Sequence, residues 1–326
     1  MTGSRAVALL AALFLTVDPL AVDFSRQAVH EIYMTFFPLA GICCAGRFME
    51  TRRAGWLVAA GVVFGLGLAS KWSVAFPMAV TAGFVANYEL RGCEGGRSFR
   101  LQRLFRVGSF LVLLPVLCYL LSFIPWFSRG YGIGEWLTLQ QSMYRETKLH
   151  VGYGSLAERD HRAYQWFIRP VSWEDGMINR VDEAHELSVE DAAADKKETV
   201  LKAVTNPFVW LLVIPGFIIV VRKWRSGRSG GLLNLFLLFL ASYLPMLITQ
   251  SRPIFLNAAL SVIPFAMILA AFPVVAVASR FRRFGTMMTL YAALVTVTTL
   301  PLYGAAIGRE GDLPFAGSFF LRVLGK

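Results

Sequence analysis

The chain has 326 residues, of which 56% are hydrophobic and only 16% charged, with a mean hydropathy of +0.55. Such apolarity excludes a set of soluble domains and points to one membrane domain with one sizeable extramembrane loop. The net charge of +11 would raise nucleic acid as a partner of a soluble protein, but in a membrane protein it reads as the cytoplasmic excess of Lys and Arg, and no nucleic acid is expected.

About nine spans are expected in chain order, since a bilayer core about 30 Å thick takes ~20 apolar residues per helix. They fall near 6–22, 31–46, 54–70, 73–88, 107–127, 208–221, 232–248, 254–278 and 286–303. The predicted fold class is therefore all-α, a polytopic membrane protein with one long extracytoplasmic loop. It divides into an N-terminal membrane region (1–127), a loop region (128–206) and a C-terminal membrane region (207–326). The first segment runs into Asp18-Pro19 with no small-residue cleavage site, so it reads as a span and not as a cleaved signal. Cys43, Cys44 and Cys118 lie in apolar runs and Cys93 in an Arg-rich loop, a pattern of free thiols and not of a disulfide framework.

When nine spans alternate, the clusters Arg47/Arg52/Arg53, Arg91/Arg97/Arg100/Arg103/Arg106, Arg222/Lys223/Arg225/Arg228 and Arg280/Arg282/Arg283 all fall on one side. The positive-inside rule makes that side cytoplasmic. The long segment 128–206 then lies outside, with three of the four histidines. Its stretch Val181–Lys202 is polar and charged, as expected of an exposed helix or flexible loop.

On the outer side three short loops each carry a lone cation: Arg26, Lys71 and Arg252. Arg offers a two-pronged fork to phosphate and Lys a point charge, so the three together read as a shared site for a phosphate at the membrane interface. Any one of them alone reads as a cation snorkelling to the headgroups. Asp18, Asp23, His30 and Glu31 cluster at the first outer loop. Asp23 and Glu31 are weak candidates to orient an acceptor or serve as a base, against the alternative of a solvated, helix-capping loop. The run 161–173 contains His161, Tyr164, Trp166 and Arg169, a composition that suits sugar stacking or an amphipathic surface helix. No His/Cys spacing supports a metal, and no phosphate-binding glycine loop supports nucleotide chemistry.

These segments resemble the protein O-mannosyltransferase family, phospholipid-carrier-dependent glycosyltransferases of the GT-C architecture. Val17-Asp18-Pro19-Leu20, Ser25-Arg26-Gln27-Ala28 and Glu31-Ile32 are similar to that family's LDG…SR(I)A…DI segment. Gly65-Leu66-Gly67-Leu68-Ala69-Ser70-Lys71-Trp72-Ser73 resembles GLAxxTKWSG, and Tyr119 through Phe127 resembles YYLSFIPxF. Further on, His161–Tyr164, Trp166 and Arg169-Pro170-Val171 resemble HPYxSxW…RPVWY, Asn206–Trp210 resembles GNPxIWW, and Arg252-Pro253-Ile254-Phe255 begins an SRPxF match. The resemblance implies a polyprenyl- or dolichyl-phosphate sugar, mannose above all, as donor and no cofactor. It also implies an extracytoplasmic protein or glycan acceptor, with inversion at the anomeric carbon, and it puts Arg26 and Lys71 near the carrier phosphate.

There are departures. The family's Asp-Glu catalytic loop and its flanking spans lie upstream of the SR segment, and this chain begins after them. Its general base, whose usual contribution is ~100–10,000-fold, is therefore expected to be missing, by a truncated start or a real loss. Leu256–Leu260 stands where the family has YHY. The expected partners are membrane lipids, the lipid-linked sugar, the acceptor and a second subunit in a homo- or heterodimer. The expected location is a bacterial inner membrane, with the active face extracytoplasmic. Two other readings compete: a non-catalytic partner or degenerate copy that binds the carrier, and a transporter or lipid flippase. The latter should show paired broken helices and polar groups at mid-bilayer depth, and the sequence shows almost no such charge.

Overall fold

A computed structural model describes residues 4–26, 32–91, 96–146, 163, 167, 171–175, 199–227, 230–248 and 256–306. The first expected span is two helices, α1 (Arg5–Val17) and α2 (Pro19–Arg26), bent by 53° at Asp18. A residue before proline is driven out of helical geometry, and Asp18 is accordingly extended (φ −69°, ψ 122°). Pro19 then opens α2, where its missing N–H costs nothing. Asp18 Oδ1 caps α2 by accepting from the N–H groups of Leu20 (3.1 Å) and Ala21 (3.3 Å).

Next come α3 (Tyr33–Thr51), α4 (Ala54–Ser70) and α5 (Ala75–Arg91). α3 runs past the expected end near Gly46 and closes at Arg52, whose left-handed backbone (φ 59°) lets its N–H reach Phe48 O at 2.8 Å. A 3₁₀ turn, Trp72–Val74, links α4 to α5. α6 (Arg97–Gly108), a π-helical turn at Ser109–Leu113, α7 (Leu114–Leu121) and α8 (Ile124–Phe127) follow as one 31-residue helical span.

The fold is helical, as expected, and its loop region adds one short ribbon. That region carries α9 (Ile133–Glu146) and a two-stranded antiparallel ribbon, β1 (Val171–Asp175) with β2 (Thr199–Val204), pairing Val171 with Val204 and Asp175 with Thr199. Residues 199–202, expected in a polar helix or loop, are strand because the run Thr199-Val200-Leu201 leads with β-branched side chains. The rest of Val181–Lys202 lies outside the described residues.

The C-terminal part comprises α10 (Pro207–Trp210), α11 (Val213–Arg225), α12 (Gly230–Ile248), α13 (Ile263–Ala278) and α14 (Phe284–Ala306). The expected span 254–278 is divided into a 3₁₀ turn, Leu256–Ser261, and α13, which Pro264 opens. α13 is buried nearly all round and packs on α1, α11, α12 and α14, while α4 packs between α3 and α7. By length and apolarity, 97–127 and 207–225 can cross a membrane, and the bent pair α1–α2 makes a third; 54–70, 231–247, 263–278 and 284–300 are shorter apolar helices. The protein is a helical membrane protein.

Two of the basic corners meet at a buried carboxylate. Glu89, wholly buried near the end of α5, is paired with Arg52 and Arg106, and its carbonyl accepts from Arg103 Nη1 at 3.1 Å. At the C-terminal half, Lys223 Nζ, near the end of α11, lies 5.6 Å from the centre of the Phe272 ring on α13. Asp18 and Asp23 are buried as well, so the expectation of almost no buried charge is corrected. These carboxylates sit at helix ends and breaks, where arginines or backbone N–H groups can meet them.

Candidate functional site

Lys71 and Arg26 both stand at the end opposite the arginine cluster, and the local chain explains each. Lys71 closes α4 in an extended conformation, its N–H donating to Gly67 O at 2.9 Å, and it is half-buried. Arg26 is the last residue of α2 and is exposed, a favourable place for a cation at the negative pole of a helix.

Three segments meet around the first turn of α3. Ser73, two residues after Lys71, donates its hydroxyl to Met34 Sδ at 3.2 Å. Thr35 Oγ1 donates to Leu260 O at 2.7 Å, joining α3 to the 3₁₀ turn 256–261. That turn in turn packs on α2, which ends at Arg26. Arg252, a few residues before the turn, lies outside the described residues. So do Glu31, His30, His161, Tyr164, Trp166 and Arg169.

Lys71 has aromatic neighbours beside it. Trp72 Nε1 donates to the Tyr119 hydroxyl at 3.0 Å, and that hydroxyl donates to Gln140 Oε1, tying α9 to the Lys71–Trp72 turn. Phe123 meets Tyr119 and Trp136 edge-on, with centroids 5.2 and 5.9 Å apart, and Trp126 stacks on Tyr131 at 4.1 Å. The N–H groups of Trp126, Trp136 and Gln140 Nε2 are buried and have no acceptor among the described residues. A group of aromatic faces with spare N–H donors beside a cation can hold a ligand that is apolar in part and rich in oxygen in part.

Two sequence candidates have a different standing from the one expected. Asp18 does cap a helix, but it is buried and not solvated. Its second oxygen accepts from Trp210 Nε1 at 2.8 Å, so the carboxylate is saturated by structural bonds. Asp23, on α2, is buried at 7% exposure. The composition of 161–169 gave no sign of how it is held, yet Ala163 O accepts from the Tyr243 hydroxyl at 2.7 Å and Phe167 stacks on Trp210 at 5.3 Å. Those two positions, four apart in the sequence, rest against the protein interior.

Asn206, which carries no role in the sequence reading beyond its motif, is an organiser of the C-terminal half. Its Oδ1 caps α10 at Phe208 N (3.0 Å), while Nδ2 reaches Val295 O (3.1 Å), Thr298 Oγ1 (3.1 Å) and Thr299 Oγ1 (2.7 Å) on α14. The signal was available: Asp18-Pro19 and Asn206-Pro207 are both an Asx cap followed by proline at the first helical position. The two caps are linked through Trp210.

The class these features define is a helical membrane protein with a cation-bearing, aromatic-lined end. Residues 1–129 match the family model for dolichyl-phosphate-mannose-protein mannosyltransferase, a range that takes in the Ser25-Arg26, Lys71-Trp72-Ser73 and Phe123–Phe127 motifs. The chain is 23% identical over 83% of its length to the polyprenol-phosphate-mannose–protein mannosyltransferase of Mycolicibacterium smegmatis. It is 22% identical over 83% to that of Corynebacterium glutamicum. The chain spans 61% of the length of either relative. Among solved structures, the archaeal oligosaccharyltransferase AglB from Archaeoglobus fulgidus, in complex with an inhibitory peptide and a dolichol-phosphate, covers 99% of this chain and 45% of its own at TM-score 0.43 and 13% identity. The resemblance carried by the motifs thus recurs in the family model over residues 1–129 and in similarity over 83% of the chain.

Proposed function

We propose that the chain is the membrane core of a glycosyltransferase that moves mannose from a polyprenyl-phosphate carrier to a hydroxyl of an extracytoplasmic protein. In this reading nine spans cross the membrane, with 1–127 and 207–326 as the two membrane regions and 128–206 outside. Arg26, Lys71 and Arg252 bind the carrier phosphate. His161, Tyr164, Trp166 and Arg169 face the sugar or the acceptor, and Asp23 and Glu31 are the carboxylates nearest that end.

The observation that carries the reading is the meeting of α2, the Lys71 turn and the 256–261 turn around Met34 and Thr35. It draws the segments that bear two of the cations, and the approach to the third, to one end. The chemistry asked of them is modest. The acceptor oxygen attacks the anomeric carbon as the bond from that carbon to the phosphate oxygen breaks, and the hydroxyl proton leaves to a base. The cations stabilise the charge gathering on the departing phosphate. The relatives act with polyprenol-phosphate-mannose by their names, and the family similarity supports the same donor here.

The test is to incubate membranes bearing the chain with radiolabelled polyprenyl-phosphate mannose and a Ser/Thr-rich peptide, and in parallel to measure saturable binding of polyprenyl phosphate. Transfer that falls ~10-fold or more in Lys71→Ala and Arg26→Ala, as expected for losing a charge-assisted contact of about 1.5–3 kcal/mol, supports the enzyme. Binding without transfer, weakened by the same substitutions, favours a carrier-binding partner subunit. Neither transfer nor binding overturns both readings.

A further inference from the structure

We infer that the arginine-bearing end of the 97–127 helix, with Arg53 beside it, is a binding site for the phosphate headgroup of anionic glycerophospholipids. The site lies at the end of the molecule opposite Lys71 and does not depend on the transfer reaction.

The exposure pattern of this helix sets its depth. Its apolar window is only 17% buried, so it sits at the rim of the bundle. Phe99, Leu101 and Leu104 are exposed among the arginines, and beyond the arginine-bearing turns the exposed large side chains continue through Phe105, Val112, Leu113, Val116, Leu117, Leu120, Leu121 and Ile124. From Phe105 to Ile124 is about 29 Å at 1.5 Å per residue, which matches a hydrocarbon core about 30 Å thick. The whole helix, at about 46 Å, is far longer than that core. Arg103, Arg100 and Arg97 therefore stand roughly 3, 8 and 12 Å beyond the inner edge of the hydrocarbon, and Arg100 is at the depth of lipid phosphates.

Glu89 decides which arginines are presented. It holds Arg52 and Arg106 by ion pairs and Arg103 through its carbonyl, and Arg52 and Arg106 also lie over the rings of Tyr88 and Phe48. Those three are occupied by the protein. Arg53, Arg97 and Arg100 are exposed, and no ion pair holds them among the described residues. Arg53 is fixed in place because its neighbour Arg52 is bound to Glu89 in a left-handed corner. Exposed Leu101, Leu104 and Phe105 interleave with the arginines and offer a surface for acyl chains directly below the headgroups. A guanidinium fork fits a phosphate diester better than an ammonium does, and all the basic residues of this corner are arginines. Basic residues just cytoplasmic of a span attract anionic lipid at roughly fivefold in affinity per residue.

The chain would be reconstituted in phosphatidylcholine vesicles doped with phosphatidylglycerol, re-extracted in mild detergent, and the lipids that remain bound quantified. Retained phosphatidylglycerol above its bulk share is the expected result, and loss of that enrichment in Arg53→Gln/Arg97→Gln/Arg100→Gln ties it to this corner. Arg222→Gln/Arg225→Gln/Arg283→Gln removes as much charge from the same side and should keep the enrichment. Retention at the bulk ratio in the unsubstituted chain overturns the proposal without reference to any variant. Equal loss in both triple variants overturns it too, because general surface charge would then suffice. Neither result bears on mannose transfer, so the two readings fail separately.

Discussion

At the scale of single residues, the end carrying Lys71 and Arg26 is organised by side chains that do no chemistry of their own. Asp18 joins the break between α1 and α2 to α10 through Trp210, and Asn206 joins α10 to α14. Trp210 is wholly buried and stacked on Phe167, so Trp210→Phe keeps an aromatic ring in the stack and removes only the donor. With Asp18 buried and short of one partner, the loss is expected to be about 1–3 kcal/mol, read by denaturant or thermal unfolding in detergent. In an Asp18→Ala background the same substitution should cost far less, because the two residues share one bond. Equal losses in both backgrounds would show that the ring, and not the hydrogen bond, matters there. The partner of Asp18 was out of reach of the sequence, since Trp210 is 192 positions away and nothing local marks the pair.

At the scale of elements, the π-helical turn shows how a proline and a glycine from different helices are matched. Leu114 N donates to Ser109 O, five residues back, and in that register Phe110 O would need an N–H from residue 115. Residue 115 is proline and has none. The released carbonyl is directed at α4, where a Cβ on Gly61 would fall 2.0 Å from it. Only glycine allows the two backbones that close, an approach that membrane helices use in place of a hydrophobic drive. Gly61→Ala is therefore expected to destabilise the protein strongly or to prevent its accumulation in the membrane. Gly83→Ala, with nothing within 4 Å of the added carbon, should leave thermal stability unchanged or slightly raised, and a stability for Gly61→Ala equal to that of Gly83→Ala would contradict the contact. The sequence places Pro115 and Gly61 in separate apolar runs, and their meeting depends on how α4 and α7 cross. Likewise Pro19 and Pro264 each stand at a helix start, so the continuous spans expected through 6–22 and 254–278 are broken there.

At the scale of the whole molecule, the sequence was most informative where one physical rule applied to many residues together. Alternating the spans puts every basic corner on one side by the positive-inside rule, and of these corners the structure joins 47–53 to 89–106 through Glu89. The long region between was least legible, because its charges and aromatics follow no single period and a short ribbon paired across more than twenty residues leaves little local trace. The proposed shared phosphate site rests on the same alternation and can be tested without any substrate. In a chain whose Cys43, Cys44, Cys93 and Cys118 are replaced, Ser25→Cys, Ser70→Cys and Ser251→Cys sit next to Arg26, Lys71 and Arg252. All three should react with a membrane-impermeant maleimide in intact cells. Ser98→Cys, Ser226→Cys and Ser279→Cys, beside the basic corners, should react only after the membrane is opened. The reverse pattern at all six would keep the three cations together and place them on the cytoplasmic face. A split within the first three would separate the cations across the bilayer, and no single phosphate could then be bound by them all.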